Sequence, residues 1–214
     1  NDVIYDSRNI KGNLSLPYGI EYIGSSAFSG CSRFTGPLIL PESLTEIGES
    51  AFEDCSGFTG SLTIPSGVKE LKNDTFYGCS GLRGQLNLHD GITSIGGSCF
   101  YHCSFTGELI LPKELKIIEG GTFSGCLFSS IAAFPEGLME IKGGFSGCWR
   151  LMGVLEFPKE LISIGSGAFN GCKTLEGIIL NENLSIIHDN AFSGCYYINK
   201  IESKSLQPPI LMSG

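Results

Sequence analysis

A segment of about 24 residues recurs eight times along the chain, and this repeat constrains the fold more than any other feature. Its clearest copy runs from Phe52 to Thr75, and the pattern begins again at Phe76. The first Phe of each copy recurs every 22 to 24 residues, at Phe28, Phe52, Phe76, Phe100, Phe123, Phe145, Phe169 and Phe192. Such a period predicts a single continuous solenoid, in which each coil contacts only its neighbours and buries its apolar face by stacking.

Further positions recur in register with the Phe, and we call each such set of equivalent positions a column. Three residues after each Phe stands a Cys, at Cys31, Cys55, Cys79, Cys103, Cys126, Cys148, Cys172 and Cys195. An apolar column then opens a strand at Leu14, Leu38, Leu62, Leu86, Leu109, Ala132, Leu155 and Ile178. A second apolar column follows two residues later, as at Leu62 and Ile64. Because side chains alternate along a strand, both columns are predicted to face the core.

Each copy then has a residue that ends the first strand, followed by a second short strand and a turn. Pro ends the first strand in six copies, and the pair Ile20 and Ile23 with its equivalents predicts the second strand. The segment from Ser26 to Cys31 is predicted to be a helical or 3₁₀ turn, which ends at a Gly able to adopt positive φ. Asp54 and His102 replace this Gly in two copies. The expected fold is therefore a β-rich α/β solenoid with short parallel strands and about eight coils of 22–24 residues.

The repeat also predicts the organisation of the chain as one domain, 1–214. Residues 1–12 form a partial first repeat or N-terminal cap, with Ile10 at the position of Phe34 and Ser7 at that of the Cys. Residues 13–195 form the repeats. Residues 196–214, in which Pro208 and Pro209 end the pattern, are expected to form a C-terminal cap over the last core layer.

The columns together resemble a known family. The pattern C-x₂-[F/L]-x-G-x-L-x-[L/I]-P-x₂-[L/V/I]-x₂-[I/L]-G-x₂-[A/T]-F-x-G-C is similar to the BspA-type leucine-rich repeat and covers nearly the whole chain. The resemblance implies a right-handed leucine-rich-repeat superhelix of the kind found in cell-surface or secreted proteins of bacteria and protists, with a role in adhesion. It implies no catalytic residues. The chain departs from the pattern at His89, Asn181, Ala132 and Gly144.

The nine Cys raise the question of disulfides or a metal site. Eight of them form one column, which indicates a small buried side chain in each coil. Parallel side chains on stacked coils keep Cβ atoms about 4.8 Å apart, farther than the roughly 3.8 Å of a disulfide, so free buried thiols are expected. The grouping of Cys99, His102 and Cys103 superficially resembles metal ligands, but no second cluster completes four ligands. We therefore predict no metal, no cofactor and no catalytic residues.

Composition limits the choice of partner. The net charge of −8 argues against nucleic acid, which requires a basic surface. No apolar run approaches the roughly 20 residues that a transmembrane helix needs, so no membrane insertion is expected within this segment. No signal peptide is found at Asn1, so the residues alone fit either a cytoplasmic chain or one whose leader has been removed. The resemblance implies a cell-surface or secreted protein, with a leader or anchor absent from this chain.

Several positions outside the core columns are candidates for partner binding. On the outward face of the first strand, Ile110, Ile131, Ala133 and Val154 come from consecutive coils and predict an exposed apolar patch. The alternative is that neighbouring strands simply favour β-branched residues. Three further candidates are aromatic residues beside the Phe and Cys columns: Tyr77, Tyr101 and Trp149.

Two functions from different classes fit these observations. The first is a non-enzymatic interaction module that binds a protein or glycan outside the cell. The second is a structural spacer that displays other domains. The outward column varies from coil to coil, as in Thr63, Asn87 and Ile110, and this variation favours binding because a spacer predicts uniform outward positions.

Overall fold

The computed structural model describes residues 10–205 and 209–211. Ser7 and Pro208 lie outside the described residues. The described chain winds into successive coils, and every strand pairing is parallel, between equivalent positions of neighbouring coils. Such pairing confirms the predicted solenoid with short parallel strands.

The strands form two rows along the solenoid. The first row, after the Cys column, contains β2 (Gly36–Pro37), β4 (Phe58–Thr59), β5 (Leu62–Thr63), β7 (Leu86–Asn87), β9 (Thr106–Leu109), β11 (Leu127–Ile131), β13 (Gly153–Glu156), β15 (Leu175–Leu180) and β17 (Lys200–Ser203). The second row contains β1 (Tyr22–Ile23), β3 (Glu46–Ile47), β6 (Glu70–Leu71), β8 (Ser94–Ile95), β10 (Ile117–Ile118), β12 (Glu140–Ile141), β14 (Ser163–Ile164), β16 (Ile186–Ile187) and β18 (Ile210–Leu211).

The two rows are continuous over different lengths. In the second row, β10, β12, β14, β16 and β18 form one five-stranded sheet. The first row is divided into pairs, with one three-stranded sheet of β13, β15 and β17. Consequently β11 and β13, which lie on neighbouring coils, belong to different sheets.

The segment before each Cys is a turn with 3₁₀-type bonds, as from the Cys31 amide to the Phe28 carbonyl at 3.0 Å, but it does not form a helix. Residues 10–205 and 209–211 contain no helix, so the α component of the expected fold is absent from this part of the chain. The turn does not extend into a helix because of where its backbone amides donate their hydrogen bonds. The amide of Phe52 donates to the Thr75 carbonyl at 2.8 Å and that of Asp54 to the Tyr77 carbonyl at 2.7 Å, so alternate amides bond to the next coil instead of along a helix.

The turn requires left-handed backbone at one position, and the sequence identified it. Gly30 has φ of 74°, while Asp54 and His102, which replace the Gly, have φ of 54°. A second left-handed column, which the sequence did not reveal, begins the turn with non-Gly residues at Ser26, Ser50, Asp74, Ser98 and Asn190. Short polar side chains tolerate this conformation better than branched or bulky ones do.

The Phe column forms the centre of the core. The rings of Phe28, Phe52, Phe76, Phe100, Phe123, Phe145, Phe169 and Phe192 stack in chain order at centroid separations of 5.2 to 5.8 Å. All are buried except Phe192, which is partly buried in the last full repeat. Phe58, Phe105 and Phe128 meet this column edge-on, at 5.9 to 6.2 Å. Both arrangements are the favourable geometries for aromatic pairs.

The Cys column contributes hydrogen bonds as well as packing. From Cys55 to Cys195, each thiol donates to the carbonyl of the Phe one coil earlier, at 3.0 to 3.3 Å. The same carbonyl also accepts from a backbone amide, as when Phe52 accepts from Cys55. The position therefore holds a small side chain that links two coils. Cys99 fills a separate fully buried position.

A bulge shifts the register in the repeat that begins at Phe123 and corrects one predicted assignment. Ile131 pairs with Leu109, a buried residue of the preceding coil, and the register shifts between Phe128 and Ser130. Ile131 is thus half-buried and packs against the core, whereas Ala132, which was predicted to point inward, is exposed. The chain buries the larger side chain because it removes more apolar surface from water.

The last coil continues the parallel pairing. β17 pairs with β15, and β18 pairs with β16. Ile201 lies opposite the buried Ile178 but is 66% exposed. We retain the division into residues 1–12, 13–195 and 196–214 as a proposal.

Candidate interaction surfaces

The outward side of the first strand row is exposed along most of its length. Ile39 is 70% exposed, Ile110 is 51% exposed and Val154 is 44% exposed. Ala133 is also exposed, while Ile131 is half-buried because of the bulge. We name Ile110, Ile131, Ala133 and Val154 the strand-face patch. Its exposed members are a methyl and two β-branched side chains, and covering this apolar surface would stabilise a complex with a partner.

A cleft of about 480 Å³ crosses this patch between the repeats that begin at Phe123 and Phe145. One wall consists of Ile131–Phe134 and the other of Val154–Lys159. In the described part of the chain, no backbone hydrogen bond joins Ala132, Ala133 or Phe134 to the repeat that begins at Phe145. The cleft therefore follows from the bulge, which places two small exposed residues where other coils have one outward residue between two core residues.

The cleft is open to solvent but closed beneath. The rings of Phe134 and Phe157 stack below it with centroids 5.3 Å apart. That separation leaves no room for a further strand between the two coils, since paired strands need about 4.8 Å on each side. The backbone of a ligand would therefore lie across the patch, and only a side chain could enter the cleft.

One ion pair lies at the rim of the cleft. Lys204 Nζ lies 2.6 Å from Glu156 Oε1, and both residues line the opening. The hydrogen bond from Lys204 holds the pKa of the Glu156 carboxyl below its usual value. Both side chains are exposed, so the pair adds polar character to the rim and little to stability.

The aromatic candidates lie elsewhere, along the turns that precede and follow the Cys column. Tyr77 and Tyr101 stack with centroids 5.0 Å apart, as their positions in successive coils predict. His102 meets Tyr101 edge-on at 4.4 Å. The structure therefore does not bring these residues together with the strand-face patch into one lining.

Trp149 forms a second opening with the turn residues. A groove of about 300 Å³ is lined by Tyr101, His102, Ser124, Gly125, Ser146, Gly147 and Trp149. Trp149 is 48% exposed, and the guanidinium carbon of Arg150 lies 5.2 Å from the centroid of its ring. Sequence reasoning missed His102 as part of this lining, although its replacement of a repeated Gly marked the position.

Burial keeps several thiols of the Cys column in the protonated form. Burial raises the pKa of the Cys148 thiol to about 12 and those of Cys79 and Cys126 well above the ordinary value, so these thiols remain protonated. Protonated buried thiols are poor nucleophiles. Within the described ranges, no group of three or more His, Cys, Asp or Glu is placed to hold a metal ion. No helix in the described chain is long and apolar enough to cross a membrane.

The repeat and its geometry agree with a sequence family. The family model for the BspA type leucine rich repeat region, with six copies, matches residues 1–127, 59–154 and 142–207. The chain belongs to the BspA-type leucine-rich repeat family. Leucine-rich repeat proteins are a type of protein-interaction scaffold. No match is found among curated protein sequences.

Several solved bacterial leucine-rich repeat proteins are similar to this chain. A leucine-rich repeat protein from Bacteroides ovatus is similar at 23% identity, with a TM-score of 0.62 over 95% of this chain and 71% of that chain. T. pallidum leucine-rich repeat protein is similar at 23% identity, with a TM-score of 0.44 over 91% of this chain and 67% of that chain. A leucine rich cell surface protein from Faecalibacterium prausnitzii has 22% identity, with a TM-score of 0.39 over 95% of this chain and 75% of that chain.

Proposed function

We propose that this chain is a non-enzymatic interaction module of a cell-surface or secreted protein, and that it adheres to a protein partner through the strand-face patch. The observation that carries the proposal is the exposure of Ile110 and Val154 on the two coils that flank the exposed Ala132 and Ala133. Membership of the BspA-type family supports a binding role. The extracellular location is what the family resemblance of the sequence implies.

The chemistry of the patch supports a protein partner there. Its apolar centre and charged rim, with Lys204 and Glu156, match the usual division of protein interfaces into a desolvated core and a polar border. The cleft between Ala133 and Val154 can receive one apolar side chain of the partner as an anchor. Phe134 and Phe157, stacked beneath it, give this pocket a rigid floor.

The experiment compares two variants of the same strand column. Ile110→Ser with Val154→Ser removes the two exposed side chains of the patch, while Ile39→Ser removes an exposed side chain of the same column several coils away. Binding of each to immobilised fibronectin, laminin and type IV collagen is measured by surface plasmon resonance. Thermal unfolding of each variant checks that the fold is retained.

The expected result is a selective loss. The double variant should bind the partner that the parent chain binds at least tenfold more weakly, the order expected for residues near the centre of an interface. Ile39→Ser should bind like the parent chain. Equal binding by all three chains, with unchanged unfolding, would favour the spacer function instead.

A further inference from the structure

A row of exposed side chains lies on the turn edge of the solenoid, away from the strand-face patch. In three consecutive coils the residue directly after the repeat Cys is Trp149, Lys173 and Tyr196, and we call these three the turn-edge row. The first four coils have Ser at this position, as at Ser56 and Ser80, and the coil directly before the row has Leu127. Trp149 is 48% exposed, Tyr196 is 79% exposed, and Lys173 is exposed between them.

The backbone turns that carry the row stack directly on one another in successive coils. A Cβ added to Gly171 would lie 3.8 Å from the Gly147 Cα, and one added to Gly194 would lie 3.4 Å from the Gly171 Cα. The amides of Trp149 and Lys173 each donate to the carbonyl two residues earlier at 2.8 Å, so both side chains leave equivalent turns. Successive members of the row are thus about 5 Å apart along the axis, and the two aromatic rings are about 10 Å apart.

The groove described above extends this row towards Tyr101. Its floor is made of the small residues Ser124, Gly125, Ser146 and Gly147, with Tyr101 and His102 at one end and Trp149 at the other. From Tyr101 to Tyr196 the chain makes four coil steps, so the groove and the row together span roughly 20 Å. The result is a long, shallow track with aromatic rings at intervals and polar groups between them.

The charge of this edge differs from that of the chain as a whole. The segments 145–151, 169–175 and 192–198, which carry the row, contain the two cations Arg150 and Lys173 and no acidic residue. The whole chain has a net charge of −8. Arg150 lies against the Trp149 ring, which places one of the two positive charges beside an aromatic face. An anionic ligand is therefore favoured at this edge.

We propose that the turn-edge row binds a linear, β-linked polysaccharide in which neutral sugars alternate with uronic acids, lying parallel to the solenoid axis. The C–H face of a pyranose carries partial positive charge and packs against the negative face of an aromatic ring. One sugar of an extended β-linked chain is about as long as one coil step. Neutral sugars would thus stack on Trp149 and Tyr196, and the carboxylate between them would meet Lys173.

This second site is independent of the proposed function, because it uses different residues on a different edge. Trp149 is the one Trp of the chain, so its fluorescence reports directly on the row. The two probes are a hyaluronan octasaccharide, which alternates uronic acid with a neutral amino sugar, and a chitin hexasaccharide, which is neutral throughout. Each is titrated into the full chain, and affinities are confirmed by calorimetry.

The hyaluronan fragment should change the Trp149 fluorescence until the site is saturated. The chitin fragment should bind at least about tenfold more weakly. Lys173→Gln should weaken hyaluronan binding by about tenfold, because a charge-assisted contact contributes at least that factor. Lys113→Gln, at an exposed Lys outside the row, should bind like the parent chain. Tyr196→Ala should weaken binding of both sugars.

Three results would overturn the proposal. The first is no saturable change in Trp149 fluorescence with the hyaluronan fragment at millimolar concentration. The second is equal affinity for the two sugars. The third is equal loss in Lys173→Gln and Lys113→Gln, which would show only a general effect of charge. None of them bears on the strand-face patch, whose variants are tested separately with protein partners.

Discussion

The thiol of Cys148 donates a hydrogen bond to the backbone carbonyl of Phe123, one coil earlier, at 3.2 Å. Equivalent bonds join the column from Cys55 to Cys195, as in Cys103 to Phe76 at 3.1 Å. Each bond joins the Cys of one coil to the Phe of the coil before it. The Cys column is therefore part of what fixes the stacking of the coils.

The first prediction concerns stability at alkaline pH. Burial raises the pKa of Cys148 from an ordinary 9.0 to about 12, so the folded chain retains a proton that the unfolded chain loses. Stability from this group is complete below about pH 9 and falls as pH rises towards 12, by about 1.4 kcal/mol per pH unit for each such thiol.

Urea unfolding between pH 9.5 and 11 measures this effect. The parent chain should lose stability steeply, because Cys79 and Cys126 shift in the same direction. Cys148→Ser cannot ionise in this range, so its stability should fall with a slope smaller by about one proton. Identical slopes for the two chains would contradict the assignment.

The second prediction concerns the oxidation state of the Cys column. Each thiol donates to a backbone carbonyl and lies parallel to the thiols of the neighbouring coils. This arrangement does not have the geometry of a disulfide. Titration of the denatured, non-reduced protein with a thiol reagent should therefore give close to nine thiols, matching the nine Cys of the sequence. A value near one, equivalent to four bridges, would be incompatible with this stacking.

The third prediction concerns the Phe column. Phe100 is fully buried between Phe76 and Phe123, with further edge contact from Phe105. Phe100→Ala should lower the free energy of unfolding by about 3–5 kcal/mol, which is the usual range for a core Phe. Phe192→Ala is the matched control, and it should cost less because Phe192 is partly buried. Equal losses of unfolding free energy in chemical denaturation would contradict the prediction that the more deeply buried ring contributes more stability.

The fourth prediction tests the register at the bulge. Ile131 packs against the core and Ala132 is exposed. Ile131→Ala should therefore destabilise the chain by about 1–2 kcal/mol, less than a fully buried Ile would. Ala132→Ser should change stability by no more than about 0.5 kcal/mol. The reverse order in thermal unfolding would restore the register expected from the repeat alone.

The repeat period identified most of the core without a structure, for a physical reason. Stacked coils must place like residues on like residues, so Phe52, Phe76 and Phe100 could be aligned by spacing alone. The same logic found the left-handed positions Asp54 and His102, because both replace a repeated Gly. Solenoid geometry makes such positions readable from the sequence.

The local departures could not be read in this way. Counting four residues from Phe128 points to Ala132, but burying Ile131 instead gains more apolar contact and the chain accommodates the change with a bulge. A shift of one residue along a strand reverses which side chains face the core. The cleft beside Val154 follows from that shift and was therefore outside the reach of the repeat pattern.

The hydrogen bonds of the Cys and turn columns were also hidden. A buried column of small residues indicates size, but not that Cys79 donates to the carbonyl of Phe52. The turn resembles a helix in composition, yet the amide of Phe52 bonds to the Thr75 carbonyl in the next coil. Both interactions depend on neighbouring coils, which a single repeat does not show.

The most direct test of the central claim is site-specific photo-cross-linking from the strand face. Benzoylphenylalanine is placed at Val154 within the patch, or at Ile39 in the same outward column, and each chain is irradiated with the matrix protein that the parent chain binds. Both sites are exposed, so neither substitution requires the core to change. A partner at the strand-face patch should give a cross-linked product from position 154 and little from position 39. Equal yields from the two positions, or product from position 39 alone, would contradict a partner site at the strand-face patch.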